Sequence, residues 1–255
     1  MRTIINGFIT AVTICSKIPM PKVEQNKKNM RYTLCFTPVI GLVIGALLYG
    51  WSKVCEACGF GQVCFALVGT VIPLFVRGGM HLEGFMAVFY DLHSHEKGEK
   101  KAENRKNLHD GYFAVIAAVG FCMLYAAGLT LIWKREQLLL LGLGCIISET
   151  LAGMSIVWFP AARTEGIAYT LAVAAPKKTV RVVLAAILAL GFISAVLVQP
   201  ILGAVVALAA MWVWTYYFYM SKKRFGGITE DGTGFFLCLC ELAGVIVIGM
   251  VGRIM

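Results

Sequence analysis

Seven runs of apolar residues, each long enough to cross a lipid bilayer, decide what this chain can fold into. They fall at about 33–51, 60–76, 112–133, 138–159, 180–198, 201–219 and 234–252. A hydrocarbon core about 30 Å thick takes roughly 20 helical residues to cross. Within it, backbone polar groups must be satisfied by the protein itself, which leaves helices or closed barrels. The runs do not alternate in polarity as barrel strands do. Only 15% of the residues are charged and 59% are hydrophobic, whereas a soluble domain carries about 25% charged. The expected fold is all-α, a polytopic membrane helical bundle, with residues 1–255 forming a single integral membrane domain.

Residues 2–14 are apolar but too short to span, and Lys17, Pro19 and Pro21 follow in place of a cleavage site. Ile4, Ile5, Phe8, Ile9 and Val12 fall near one helical face, which predicts an N-terminal interfacial helix lying on the membrane. A re-entrant or core-packed segment is the alternative. Of the nine cysteines, most lie inside apolar segments. Cys55 and Cys58 form a lone C-x-x-C without the second pair that a zinc site needs, so they read as small apolar residues.

Basic residues gather on the cytoplasmic flanks of spans. If segment 15–32 is cytoplasmic and the spans alternate, 19 Lys and Arg fall on that side and 4 on the other, namely Lys53, Lys134, Arg135 and Arg253. The net charge of +9 is thereby a topological signal, and no nucleic acid partner is expected. The predicted protein sits in the cell inner membrane with its N-terminus inside. Its cytoplasmic loops are at about 15–32, 77–111, 160–179 and 220–233. The basic run Lys97, Lys100, Lys101, Arg105 and Lys106 suits the headgroups of anionic membrane lipids or a diphosphate.

Those loops carry nearly all the ionisable groups. All four histidines, His81, His93, His95 and His109, lie between 77 and 111. In RGGMHLEGFMAVFYDLHSH (77–95), Gly78 and Gly79 permit close backbone approach. His81, Glu83 and Asp91 are residue types that hold a divalent cation. KNLHDGYFAV (106–115) adds Lys106 and Asp110. FPAARTEG (159–166) offers Arg163 as a phosphate grip. KKRFGGITEDGTGFF (222–236) combines Gly226, Gly227, Glu230 and Asp231 in a loop suited to phosphate and cation. Each segment also reads as an ordinary solvated loop. Glu149 and Glu241 lie inside spans, where a carboxylate is either functional or a helix-paired structural group facing the bundle interior.

Taken in order, GGMHLEG at 78–84, KNLHDGYFAV at 106–115, FPAARTEG at 159–166 and FGGITEDGTGFF at 225–236 resemble the adenosylcobinamide-GDP ribazoletransferase (cobalamin synthase) family. FITAVTICSKIPMP (8–21) and TPVIGLVIGALL (37–48) fit as well, so the resemblance covers essentially the whole chain. It implies a membrane transferase using Mg2+, with Mn2+ as an alternative. Its substrates would be adenosylcobinamide-GDP and α-ribazole or its 5′-phosphate; the products would be adenosylcobalamin or its phosphate, and GMP. A homo-oligomer is compatible with the resemblance. Carried over motif by motif, it implies catalytic roles for His81, Glu83 and Asp231. Metal ligation would come from Glu83, Asp91, Asp110 and Asp231. Substrate binding would involve Arg163, Lys106, Gly78, Gly79, Gly226 and Gly227.

The chain departs from the family pattern GG-x-H-x-DG-x-x-D-x-x-D. Glu83 replaces the first aspartate, Ala87 and Tyr90 stand at the next two, and Asp91 is one residue out of register. Asn107 and Leu108 replace the Asp-Ser of a KDS-x-x-G motif, and Glu230 replaces a glycine in GG-x-TGD. Glu149 stands where an arginine is common. Aspartate to glutamate keeps a magnesium ligand while moving it; aspartate to alanine removes it. Two other uses follow: a non-catalytic paralogue that binds corrinoid or nucleotide, and a small transporter lined by Glu149 and Glu241. The second lacks an inverted repeat with matched helix breaks.

Overall fold

The computed structural model describes residues 2–93 and 108–254. Among them the chain forms ten α-helices. These are α1 (Arg2–Cys15), α2 (Pro38–Cys58), α3 (Gln62–Arg77), α4 (Met80–His93), α5 (Leu108–Leu129), α6 (Arg135–Trp158), α7 (Ile167–Ala174), α8 (Lys177–Val198), α9 (Pro200–Phe225) and α10 (Glu230–Ile254). A 3₁₀ turn, Thr33–Phe36, precedes α2. The all-α expectation holds. Six segments are long and apolar enough to cross a membrane, or seven if α3 and α4 count as one broken span. The chain thus has the helices of an integral membrane protein.

Helix ends follow local chemistry. Pro38 and Pro200 open α2 and α9, where proline's missing N–H costs nothing. The Gln199 side chain accepts the Leu202 N–H at 2.6 Å, closing the tight turn between α8 and α9. Gln137 accepts the N–H groups of Trp133 and Lys134, both at 3.0 Å, and so caps α6. Gly41 and Gly45, one turn apart on α2, let its backbone lie against α6 at Cys145 and Gly142.

α6 is the central helix, with most of its length buried against α2, α8, α9 and α10. The outer faces of the other helices carry Phe75, Leu197, Leu208 and Trp212, all more than half exposed, as lipid-facing residues would be.

The expected loops differ from the structure in ways that bear on the site. Residues 80–93, expected in a loop, are helical. Gly78 and Gly79 have φ of +62° and +77°, a region that glycine enters without steric cost. They turn the chain by 93° from α3 into α4. On α1 the buried residues are Gly7, Thr10, Ala11 and Val12, whereas Ile4 and Ile5 are exposed. The packed face is thus mostly the small-residue one, set on the 3₁₀ turn. The expected loops at 160–179 and 220–233 are also shorter, because α7 occupies part of one and α9 runs on to Phe225.

Candidate active site

Glycines bring two of the motifs together. A Cβ on Gly84 would lie 2.7 Å from the Asp231 carbonyl oxygen, and one on Gly234 would lie 3.0 Å from the His81 Cα. With neither present, α4 and α10 lie backbone to backbone, which sets His81 and Glu83 beside Asp231 and Thr233. These four residues line a cavity of 340 Å³, whose wall also includes Cys15 at the end of α1 and Ala168 on α7.

A second pair of loops is joined beside it. The Ile228 N–H donates to the Pro160 carbonyl at 2.8 Å, and the Ala162 N–H donates to the Ile228 carbonyl at 3.0 Å. This parallel bridge between Ala161 and Ile228 needs Gly227, whose Cβ would fall within 2.7 Å of the Ala161 carbonyl carbon. It brings the Arg163 loop to the N-terminus of α10. Arg163, Glu165, Tyr169, Thr229, Glu230 and Asp231 line a pocket of 280 Å³ there. The two cavities share Ala168, Glu230 and Asp231.

Thr229 caps α10 by accepting the Gly232 N–H on its hydroxyl at 2.9 Å. Glu230, which replaces the glycine of the resembled motif, has a defined place. Its Oε1 accepts the N–H groups of Ile167 and, at 3.2 Å, Ala168. These are the first amides of α7, so the carboxylate serves as that helix's cap and meets the positive end of its dipole.

The remaining expected site residues are dispersed. Asp91 lies eight residues beyond Glu83 on the same helix, about 12 Å along the axis, and does not line the cavity that Glu83 and Asp231 share. His93 stacks on Phe89 at 4.3 Å and bonds its carbonyl oxygen at 2.9 Å. Gly78 is covered by the stem of Lys17, whose N–H donates to the Val76 carbonyl at 2.9 Å. Gly226 ends α9 at φ +78° in open space. His95 and Lys106 lie outside the described residues, as do the side chains of His109 and Asp110. Among the described residues, no three His, Cys, Asp or Glu side chains converge as a metal cage.

Arg77, counted above with the cytoplasmic bases, is 4% exposed and points into the bundle. Its Nε and Nη2 reach Glu149 Oε1 at 3.0 and 2.9 Å. Its Nη1 donates to Glu241 Oε2 at 2.8 Å, and Nη2 also donates to Glu241 Oε1. Ser148 adds a hydroxyl to Glu241 at 3.3 Å. Glu149 and Glu241 are therefore helix-paired groups facing the interior. Pattern reading missed Arg77 here, together with Cys15 and the α7 amides, because none carries a local signal.

Residues 7–249 match the family model described as cobalamin-5-phosphate synthase. The chain belongs to that family. Adenosylcobinamide-GDP ribazoletransferase of Lachnoclostridium phytofermentans is 31% identical over 245 residues, covering 96% of this chain and 94% of that one. The proteins of the same name from Clostridium perfringens strain SM101 and Clostridium botulinum strain Alaska E43 are 28% and 24% identical. They cover 97% and 96% of this chain, and 97% of each relative is matched. No solved structure matches. For a cobalamin-5-phosphate synthase family member, the joined cavities gather three of the four motif segments in one place. The fourth, 106–115, begins outside the described residues.

Proposed function

We propose that this chain transfers the cobinamide phosphate of adenosylcobinamide-GDP to α-ribazole or its 5′-phosphate, giving adenosylcobalamin or its phosphate and GMP. The observation that carries this reading is the convergence of His81, Glu83, Asp231 and Arg163 on two adjoining cavities in a chain that matches the family over residues 7–249. Arg163, a fixed planar donor, suits the diphosphate. His81, on the wall of the larger cavity, takes the proton of the ribose hydroxyl as that oxygen bonds to phosphorus and GMP departs. The positive-inside charge pattern supports a cytoplasmic face for this chemistry.

Glu83 and Asp231 are the groups for magnesium. Magnesium is usually held by one or two carboxylates together with substrate phosphates, so two carboxylates on one cavity fit an ion shared with the diphosphate. They do not fit a cage made by protein alone. Bound there, the ion would neutralise developing phosphate charge. Asp91 has no place in this arrangement, given its distance along α4.

The test is membrane vesicles carrying the protein, supplied with both substrates and magnesium or manganese. Cobamide and GMP should form in equal amounts. Glu83→Gln and Asp231→Asn should each lower turnover about a hundredfold or more, the scale of losing an electrostatic group at a transferring centre. Binding of adenosylcobinamide-GDP without turnover under either metal would replace the transferase with the non-catalytic reading, which Ala87 and Tyr90 favour.

A further inference from the structure

His81 also lines a second, much smaller chamber of 20 Å³. Its wall includes Arg77 and Gly79 at the bend, Tyr125 from α5, and Cys238 and Glu241 from α10. Two polar atoms here, His81 Nδ1 and the Tyr125 hydroxyl, are shut off from solvent and have no hydrogen-bond partner among the described residues. Tyr125 is 1% exposed. Buried polar atoms are nearly always satisfied, and two orphans share one chamber with a carboxylate and a guanidinium.

Size and polarity limit what completes the chamber. On the measure that gives 20 Å³, one water needs about 10–15 Å³ and typically makes about three hydrogen bonds. A cation is disfavoured by the guanidinium in the same wall. We propose that one water molecule occupies this chamber and joins His81 Nδ1 and the Tyr125 hydroxyl to Glu241, making Tyr125 and Glu241 positioning residues for His81. The water donates to the Glu241 carboxylate and accepts from Tyr125 O–H and from His81 Nδ1–H. That fixes the tautomer and leaves Nε2 as the acceptor for the larger cavity, as a carboxylate does for a catalytic histidine.

Around His81 stand Arg77 from α3, Tyr125 from α5, and Asp231, Cys238 and Glu241 from α10, with Glu83 on its own helix and Cys15 from α1. Glu149 acts through Arg77.

The role in proton transfer rests on the transferase reading; the tautomer does not. Full-length protein in lipid nanodiscs, labelled with ¹⁵N-histidine, reports the tautomer directly. His81 is assigned as the resonance lost in His81→Gln. The expected result is an Nδ1–H tautomer in the wild type that is lost or mixed in Tyr125→Phe. In kinetics, Tyr125→Phe should lower kcat about tenfold, less than the factor of about 10² or more for direct acid–base loss. It should leave KM unchanged. An Nε2–H tautomer in the wild type, or an unchanged tautomer in folded Tyr125→Phe, would overturn the proposal. Should Tyr125→Phe not fold, the wild-type tautomer decides. An Nδ1–H tautomer sensitive to Tyr125 in a protein that forms no cobamide would sink the transferase reading and leave this one standing.

Discussion

Arg77 meets two carboxylates, and removing each partner leaves a different charge behind. Without the guanidinium, Glu149 and Glu241 face each other in a sealed interior; deleting one partner of a buried ion pair costs about 3–5 kcal/mol. Without the Glu149 charge, Arg77 and Glu241 remain as a one-to-one pair with two bonds. Arg77→Leu should therefore destabilise by about 3–5 kcal/mol and Glu149→Gln by only about 1 kcal/mol, the scale of one hydrogen bond. Unfolding of the purified protein in mixed micelles measures both, and equal losses would refute the charge-balance account. The two glutamates stood out in sequence because carboxylates are rare inside apolar spans. Arg77 did not, because it ends an apolar run where cytoplasmic bases normally collect. Glu230 was hidden for a related reason. Its partners are backbone amides of α7, 63 residues away along the chain, and amides carry no pattern.

At the level of elements, the seven apolar runs mark the helices α2, α3, α5, α6 and α8 to α10, although α2 and α9 run on past the expected ends at 51 and 219 to Cys58 and Phe225. The 3.6-residue geometry and bilayer thickness leave little freedom there. α4 escaped notice because its buried residues are Gly84, Phe85 and Val88, a stripe built around a glycine that gives a weak apolar signal. The closeness of α4 to α10 is what makes the cavity. Gly84→Ala must push Asp231 away, and overpacking of this kind costs about 1–3 kcal/mol. It should lower transferase turnover more than it lowers stability relative to Ala87→Ser, a nearby change on the same helix. Gly226 and Gly227 separate two effects. Gly226→Ala has open space and meets only its left-handed φ, at about 1–2 kcal/mol. Gly227→Ala collides with the 160–162 backbone and breaks the Ala161–Ile228 bridge. Protease cleavage near Arg163 in folded protein should accelerate in Gly227→Ala and not in Gly226→Ala; the reverse order would discount the bridge.

For the whole molecule, orientation decides which compartment supplies the substrates, and one native thiol tests it. The charge pattern predicts that the turn between α2 and α3 lies outside and the joined cavities inside, with 19 basic residues against 4. Moving Arg77 from the flank to the interior leaves that imbalance nearly intact. Cys58 ends α2 beside that turn and is exposed, whereas the other eight cysteines are buried or partly so. A membrane-impermeant maleimide should label Cys58 in spheroplasts, and Cys58→Ser should abolish that labelling. Inside-out vesicles should react at Cys58 only after permeabilisation. A cysteine placed at Arg163, which is exposed on the pocket wall, should show the opposite pattern. Labelling of both positions from one side would require an odd number of crossings to be lost between residues 58 and 163. Exchange of the two patterns would invert the bundle and set the Glu83–Asp231 cavity facing away from cytoplasmic nucleotide, which the proposed transfer could not survive.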